Sequence, residues 1–161
     1  MAALAYPVFA HVTAQPDTGV AGSYFHLTFT VPHGCDGSPT ISLRIKIPEG
    51  VTSVKPQMKA GWNVTIKTRK LDPPIKGERG QTITETVDEV DWRGGPLPNE
   101  LYDTFGLSMK LPEGAGQTLY FQAVQECEKG TNRWIEIPAS GQNRKDLRQP
   151  APTVKLAPKS P

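Results

Sequence analysis

The sequence has little that would place it with nucleic-acid-binding or membrane-spanning proteins. Its 18 basic and 16 acidic residues nearly cancel, to a net charge of +2. No basic stripe is interleaved with aromatic residues, so a nucleic acid is a poor candidate partner. No stretch of about twenty apolar residues occurs, so we expect no stable membrane span. The 161 residues are enough for a single domain with a buried core.

The common sequence signatures of enzymes are also missing. There is no Gly-rich phosphate loop, no CxxC or HExxH motif, and no Ser, His and Asp spacing typical of a hydrolase. Carboxylates are numerous but scattered, and three His with two Cys leave a four-ligand zinc site short of donors. We therefore expect a protein that is not an enzyme.

What is abundant is turn-forming residues, with 16 Pro and 15 Gly spread at regular intervals along the chain. Between them lie short runs in which apolar and polar residues alternate, for example residues 24–31, 40–48 and 104–111. Alternation with a period of two is typical of half-buried strands, and no convincing amphipathic helix appears. The pattern predicts an all-β protein, a single-domain antiparallel β-sandwich.

Two segments depart from this alternation. Residues 69–80 are rich in Lys, Arg, Pro and Gly, and we predict a loop between two strands there. The folded domain is predicted to span residues 11–140. Residues 141–161, which are basic and Pro-rich, are predicted to form a flexible tail.

Residues 1–10 are similar to the end of an export signal, although the usual basic start is missing. Small or modest residues precede a possible cleavage site after Ala10, and we interpret residues 1–10 as a signal-peptide remnant. Cleavage would make His11 the first residue, with an α-amine and an imidazole Nδ1 that can close a chelate ring on one metal ion. Nitrogen donors of this kind favour Cu(II). The alternative is that the Ala10-His11 sequence occurs by chance and is not cleaved, in which case His11 has no free α-amine.

Two cysteines, Cys35 and Cys127, allow two interpretations. In an exported protein an even count predicts a disulfide. The alternative is a pair of free thiols that bind metal. A metal or redox site formed by His33, Cys35 and Asp36, which lie close together in a turn-rich loop, is a related possibility.

The last predicted strand carries the remaining candidate residues for a metal site. A first strand at the edge of a sandwich can lie beside the last one, which would bring Trp134 and Glu136 towards His11. Trp134 could then shield a metal from water, and Glu136 or Glu126 could offer an oxygen ligand. The alternatives are that Trp134 packs in the core and that both carboxylates face solvent.

Taken together, these residues resemble the YcnI-like copper-binding family, in particular its proteobacterial branch. The resemblance spans about residues 11–140 and rests on a set of short motifs: His11-Val12-Thr13, Pro48-Glu49-Gly50-Val51, Gly61-Trp62, Asp91-Trp92, and residues 31–40, 125–130 and 133–136. It implies an exported, periplasmic domain of immunoglobulin-like fold.

The resemblance also implies a Cu(II) site made of the mature N-terminal His, a carboxylate from a neighbouring strand and a nearby Trp. His11 and Trp134 match the first and the third. On the strand where we place the carboxylate, residues 42–48, the matching position holds Arg44. The family context implies a copper chaperone or storage protein that acts with other periplasmic copper-handling proteins. The alternative is a metal-free protein-interaction module, which Arg44 favours.

Overall fold

The computed structural model describes residues 11–161, so the predicted signal-peptide remnant, residues 1–10, lies outside the described residues. The described chain forms twelve strands and one 3-10 turn at Arg144–Asp146. In chain order the strands are β1 Thr13–Gln15, β2 Thr18–Val20, β3 Tyr24–Val31, β4 Thr40–Lys46, β5 Thr52–Pro56, β6 Trp62–Lys76, β7 Thr82–Leu97, β8 Asp103–Lys110, β9 Thr118–Tyr120, β10 Ala123–Cys127, β11 Thr131–Trp134 and β12 Thr153–Ala157.

The strands form three sheets. A four-stranded sheet has the order β1-β3-β8-β5, and a five-stranded sheet has the order β11-β10-β4-β7-β6. A small third sheet, β2-β12-β9, contains one parallel pair, β2 with β12, while the other pairings are antiparallel. The predicted all-β sandwich is confirmed. Within residues 11–161 no helix has the length and apolar character needed to cross a membrane.

The alternating runs of the sequence become the inner faces of the two larger sheets. Leu27 and Phe29 of β3 and Leu43 and Ile45 of β4 are at most 1% exposed and share one hydrophobic core. Their polar neighbours along each strand face outward, as a period of two requires.

Residues 69–80 do not form the predicted loop. Strand β6 continues to Lys76 and pairs with β7 through most of its length. The alternation fails there because this hairpin extends away from the core, so neither face carries a regular apolar set. β6 is an edge strand, where Pro73 and Pro74 are tolerated because no further neighbour needs their missing N–H groups.

The predicted boundary at residue 140 and the flexible tail are wrong for residues 153–157. They form β12, which pairs with β2 and with β9. Val154 and Leu156 of this strand are 0% and 3% exposed and belong to the core. The strand is short and lies among Pro and Lys residues, and its partners are distant in sequence, so local composition did not reveal it.

Candidate metal site

His11 lies just before β1, at the end of the four-stranded sheet. β1 is antiparallel to β3, with Thr13 opposite Thr30. The pairing thus brings the start of β1, which follows His11, beside the end of β3. His11 is half-buried, so its side chain is sheltered yet reachable from solvent.

The structure brings His11 and Trp134 together, as the sequence predicts. Their ring centroids are 5.3 Å apart with planes at 71°, an edge-to-face contact. Trp134 ends β11, where it lies opposite Ala123 of β10, and it is 6% exposed. The ring of Trp134 is therefore part of the core, which was the alternative interpretation, and it also packs against His11.

Gln125, on β10, fixes the position of Trp134. The indole N–H donates to Gln125 Oε1 at 3.1 Å, and the Asn132 amide donates to the same oxygen at 3.3 Å. Gln125 Nε2 donates to the carbonyl of His33 at 2.6 Å and to the hydroxyl of Thr40 at 2.8 Å. A fully buried amide is thus hydrogen-bonded on both its oxygen and its nitrogen.

A role for Gln125 is not predicted from the sequence. The signal was present, because Gln125 is a polar residue in phase with the inward-facing Phe121 and Ala123. A polar side chain on a buried face needs partners, and one of the partners here is Trp134, which packs against His11.

His33 is the second imidazole at this end of the sandwich. It is half-buried, and its Nδ1 lies 2.6 Å from the backbone carbonyl of Gly34, to which it can donate. Its loop is tied to β10 by the disulfide between Cys35 and Cys127, 92 residues apart in sequence. The predicted disulfide is therefore present, and the thiol-based site with His33, Cys35 and Asp36 is excluded because Cys35 is oxidised.

The surroundings of His11 favour its neutral form. The pKa of His11 is lowered mainly by burial and next by the positive charge of Arg144. A charge on His33 lowers this pKa further, while a hydrogen bond from the ring to the backbone carbonyl of Arg148 opposes these effects. Neutral imidazole is the form that binds metal ions.

Glu136, predicted as a possible ligand, accepts a hydrogen bond from the backbone of a neighbouring loop. Its carboxylate Oε1 accepts the backbone N–H of Gln149 at 3.0 Å, and its own backbone pairs with Gln149 and Ala151. Arg144 also donates to the carbonyl of Ala151, at 3.0 Å. These bonds fold residues 137–150 back so that Arg144 and Arg148 approach His11.

Arg44 does not lie at this site, which corrects the prediction that it takes the position of the family carboxylate. On β4 it is Ile45 that aligns with Ala123 and, through it, with Trp134. Arg44 aligns with Val124, one residue along, and therefore points to the opposite face of the sheet.

Glu126 lies on that opposite face as well, so it is excluded as an oxygen ligand near His11. Its carboxylate accepts from Arg93 at 2.7 Å and from Arg44 at 3.2 Å. The hydrogen bond from Arg93 is the main cause of the lowered pKa of Glu126. These three side chains form a surface ion-pair network.

Among residues 11–161 no three or more His, Cys, Asp or Glu side chains are grouped so that they could hold a metal ion. A metal bound at His11 would therefore rely on few side chains. The α-amine of a mature N-terminal His11 would supply a donor that does not come from a side chain.

With the geometry described, comparison with known proteins places the chain in a family. The sequence profile of a family described as a domain of unknown function, DUF1775, matches residues 11–156. The chain belongs to the DUF1775 family. The DUF1775 match reaches into β12, in agreement with the packing of that strand in the core.

One solved structure similar to this DUF1775 domain is an uncharacterized protein from Nocardia farcinica, whose crystal structure is described as an immunoglobulin-like fold. The two superpose with a TM-score of 0.69 at 23% sequence identity, over 91% of this chain and 98% of that chain. The immunoglobulin-like fold is thereby confirmed. Among curated proteins, no significant match to the sequence is found.

Proposed function

We propose that this DUF1775 domain is an exported copper-binding protein of the YcnI-like kind, which holds Cu(II) at a mature N-terminal His11. It would serve as a periplasmic copper chaperone or storage protein. The observation that carries the proposal is the packing of the His11 imidazole against Trp134, with ring centroids 5.3 Å apart. These are the two residues that the resemblance matches to a copper site.

The residues around His11 fit a metal ligand. One ring nitrogen is engaged with the carbonyl of Arg148, which orients the imidazole in the way that backbone carbonyls orient metal-bound histidines. The lowered pKa of His11 favours the neutral ring. Cleavage after Ala10 would add the α-amine of the same residue, and amine and imidazole together form a chelate suited to Cu(II).

Trp134 would shield the bound ion on one side. Its position does not depend on a ligand, because Gln125 holds the indole N–H and the core holds the ring. Since His11 remains half-exposed, a partner could still reach the ion from the solvent side. A site of this kind suits a protein that delivers or stores copper.

A direct test compares two forms of the mature protein, one that begins at His11 with a free α-amine and one in which that α-amine alone is acetylated. Acetylation turns the primary amine into an amide and removes the chelate without adding a new amine. We expect Cu(II) affinity, measured by calorimetry, to fall at least about a hundredfold in the acetylated form. The variant His26→Gln, altered on the exposed face of β3, serves as the control and should bind as the mature protein does. Equal affinity of the two forms would contradict the proposal.

The second candidate function is a metal-free interaction module. It is supported by apolar side chains exposed along the edge strand β6 and the turn before it, where Ile66 is 49% and Met58 91% exposed. An unpaired strand edge can bind an added strand from a partner. Mature protein that takes up no copper, yet binds a periplasmic partner through this edge, would favour this function.

A further inference from the structure

We propose that the cleft beneath the tip of the β6–β7 hairpin binds a small molecule with an apolar body and a terminal carboxylate, of the kind of a medium-chain fatty acid. This hairpin cleft lies between the hairpin tip and the adjoining ends of β3, β5 and β8. Its volume of about 490 Å³ is in the range of small-molecule sites. The proposal goes beyond the copper site and does not depend on it, since different residues form the cleft.

The course of the hairpin creates the cleft. Residues 71–74 of β6 oppose the single residue Thr84 of β7, so β6 carries an extended bulge there. Extra residues on one strand of a pair bend that strand. Beyond the bulge the tip contacts the four-stranded sheet, where Glu78 meets Lys110 and Tyr24. The hairpin tip therefore covers one end of this sheet.

Apolar side chains line the cleft from both sides. On the hairpin, Ile75 and Ile83 are directly opposed residues and share one face. On the sheet, Tyr24 lines the cleft from β3. Tyr24 is 62% and Ile75 39% exposed, so much of their surface is not covered by the core. A concave site lined in this way suits the apolar body of a ligand.

Two donors on the sheet side of the cleft already hold a carboxylate. The ammonium group of Lys110 donates to Glu78 Oε1, and the hydroxyl of Tyr24 donates to Glu78 Oε2 at 3.3 Å. The pKa of Glu78 is lowered, chiefly by the hydrogen bond from Lys110, so the carboxylate bound there is charged at neutral pH. Lys110 and Tyr24 thus form a carboxylate-binding pair, which Glu78 occupies from the hairpin.

The charges around the cleft favour an anionic ligand. Three cationic and two acidic side chains line it, namely Lys76, Arg79, Lys110, Glu78 and Glu113. Glu113 pairs with Lys159, which is not part of the lining. Arg79 donates through its backbone N–H, and its guanidinium forms no ion pair within residues 11–161. A carboxylate in the cleft would therefore meet an excess of positive charge.

These observations define how the ligand binds. Its carboxylate takes the place of Glu78 on Lys110 and Tyr24, and its apolar body lies against Ile75 and Ile83. Because Glu78 is tethered beside the same donors, it competes with the ligand as a high local concentration of carboxylate would. Removing the charge of Glu78 should therefore strengthen binding, which binding to an apolar patch alone does not predict.

The test titrates the protein with octanoate, and with octan-1-ol as a probe of the same chain length without a carboxylate, while amide chemical shifts are followed by nuclear magnetic resonance. We expect octanoate to shift the resonances of residues 75–83 and of Tyr24, and octan-1-ol to bind at least about tenfold more weakly.

Three variants assign the binding to the cleft. Lys110→Gln should weaken octanoate binding at least about tenfold, since it removes a charged hydrogen bond. Glu78→Gln should strengthen it at least about threefold, since it removes the internal competitor. Lys67→Gln is the matched control, because Lys67 is a paired lysine of β6 that does not line the cleft, and it should bind as the wild type does.

Each contrary result overturns the proposal. Octanoate that does not bind, or that binds no more tightly than octan-1-ol, would show that the cleft does not recognise a carboxylate. Unchanged affinity in Lys110→Gln or in Glu78→Gln would show that the Glu78 position is not the binding position. If Lys110→Gln fails to fold, Tyr24→Phe provides the second measurement, because it keeps the ring and removes only the hydroxyl donor. Octanoate affinity equal to that of the wild type in Tyr24→Phe would then refute the carboxylate-binding pair.

Discussion

The imidazole of His11 and the indole of Trp134 meet edge to face, with centroids 5.3 Å apart. They are far apart in sequence and lie next to different sheets, the one just before β1 and the other at the end of β11. The contact therefore depends on the completed sandwich. A metal bound at His11 would be held by a folded structure and not by a flexible N-terminus alone.

This contact makes Trp134 a reporter of copper. Cu(II) quenches the fluorescence of a nearby indole, so binding at His11 should reduce the emission of the protein. In Trp134→Phe the quenching should largely disappear, although the other two Trp residues remain. Because Phe has no N–H, the variant lacks the 3.1 Å hydrogen bond that the indole donates to Gln125. We expect this loss to lower the free energy of unfolding by about 1–2 kcal/mol. Copper quenching that persists in the variant would place the ion elsewhere.

Gln125 should matter for both stability and copper binding. The substitution Gln125→Met keeps the size of the side chain but removes its bonds to His33, Thr40 and Trp134. Because buried polar groups then lose partners, we expect a loss of about 2–5 kcal/mol in urea unfolding. Copper affinity should fall as well, since Trp134 is no longer held in place beside His11.

Asn132→Ala is the matched control for Gln125→Met, because it removes only the 3.3 Å bond to the same Gln125 oxygen. It should cost less than about 1 kcal/mol and leave copper affinity unchanged. If Gln125→Met proved as mild as this control, the central role of the amide would be refuted.

The strands predicted correctly from the sequence are those with one buried face and one solvent-exposed face. In β3 the alternation of Phe25, Leu27 and Phe29 with polar residues is a local signal of the sheet surface on which each side chain lies. In the last part of β6, residues 69–76, a strand gives no such signal, because exposed residues occupy both faces. β12 was missed for a different reason, since its partners β2 and β9 cannot be inferred from five residues.

The site was predicted only as far as residue chemistry allows. His11 and Trp134 were predicted because a terminal His and a Trp match a known pattern. The partners of Gln125 required the register, since a shift of one position decides which face a side chain occupies. The same uncertainty explains why Arg44 was predicted at the site. In the structure it aligns with Val124 and therefore points away from the site.

The ion-pair network on the other face should make stability depend on pH. The folded-state pKa of Glu126 is lowered from its ordinary value of 4.5, chiefly by the hydrogen bond from Arg93. Its contribution to stability is therefore complete above about pH 4.5 and is lost as the pH falls through the lowered value. We expect Glu126→Gln to be less stable than the wild type at pH 7, and the difference to shrink in acid. Urea unfolding at a series of pH values measures this difference.

Asp17→Asn, which alters an exposed carboxylate in the turn between β1 and β2, is a suitable comparison for Glu126→Gln. Because its carboxylate lies outside the Arg44 and Arg93 network, this variant should not show the same narrowing. A stability difference for Glu126→Gln that stays constant from pH 7 to pH 3 would mean that the ion pairs contribute nothing to folding.

β12 should be essential to the domain even though its sequence resembles a linker. Leu156 is 3% exposed within the core, so Leu156→Ala should lower the free energy of unfolding by about 2–5 kcal/mol. Removing residues 158–161 takes away only an exposed ion pair, Lys159 with Glu113 at 2.9 Å, and should cost less than about 1 kcal/mol. Truncation after residue 152 should instead expose the edges of β2 and β9 and leave a protein that aggregates. Urea unfolding and size-exclusion chromatography distinguish the three. A truncated protein as stable as the full chain would show that residues 153–157 are a tail after all.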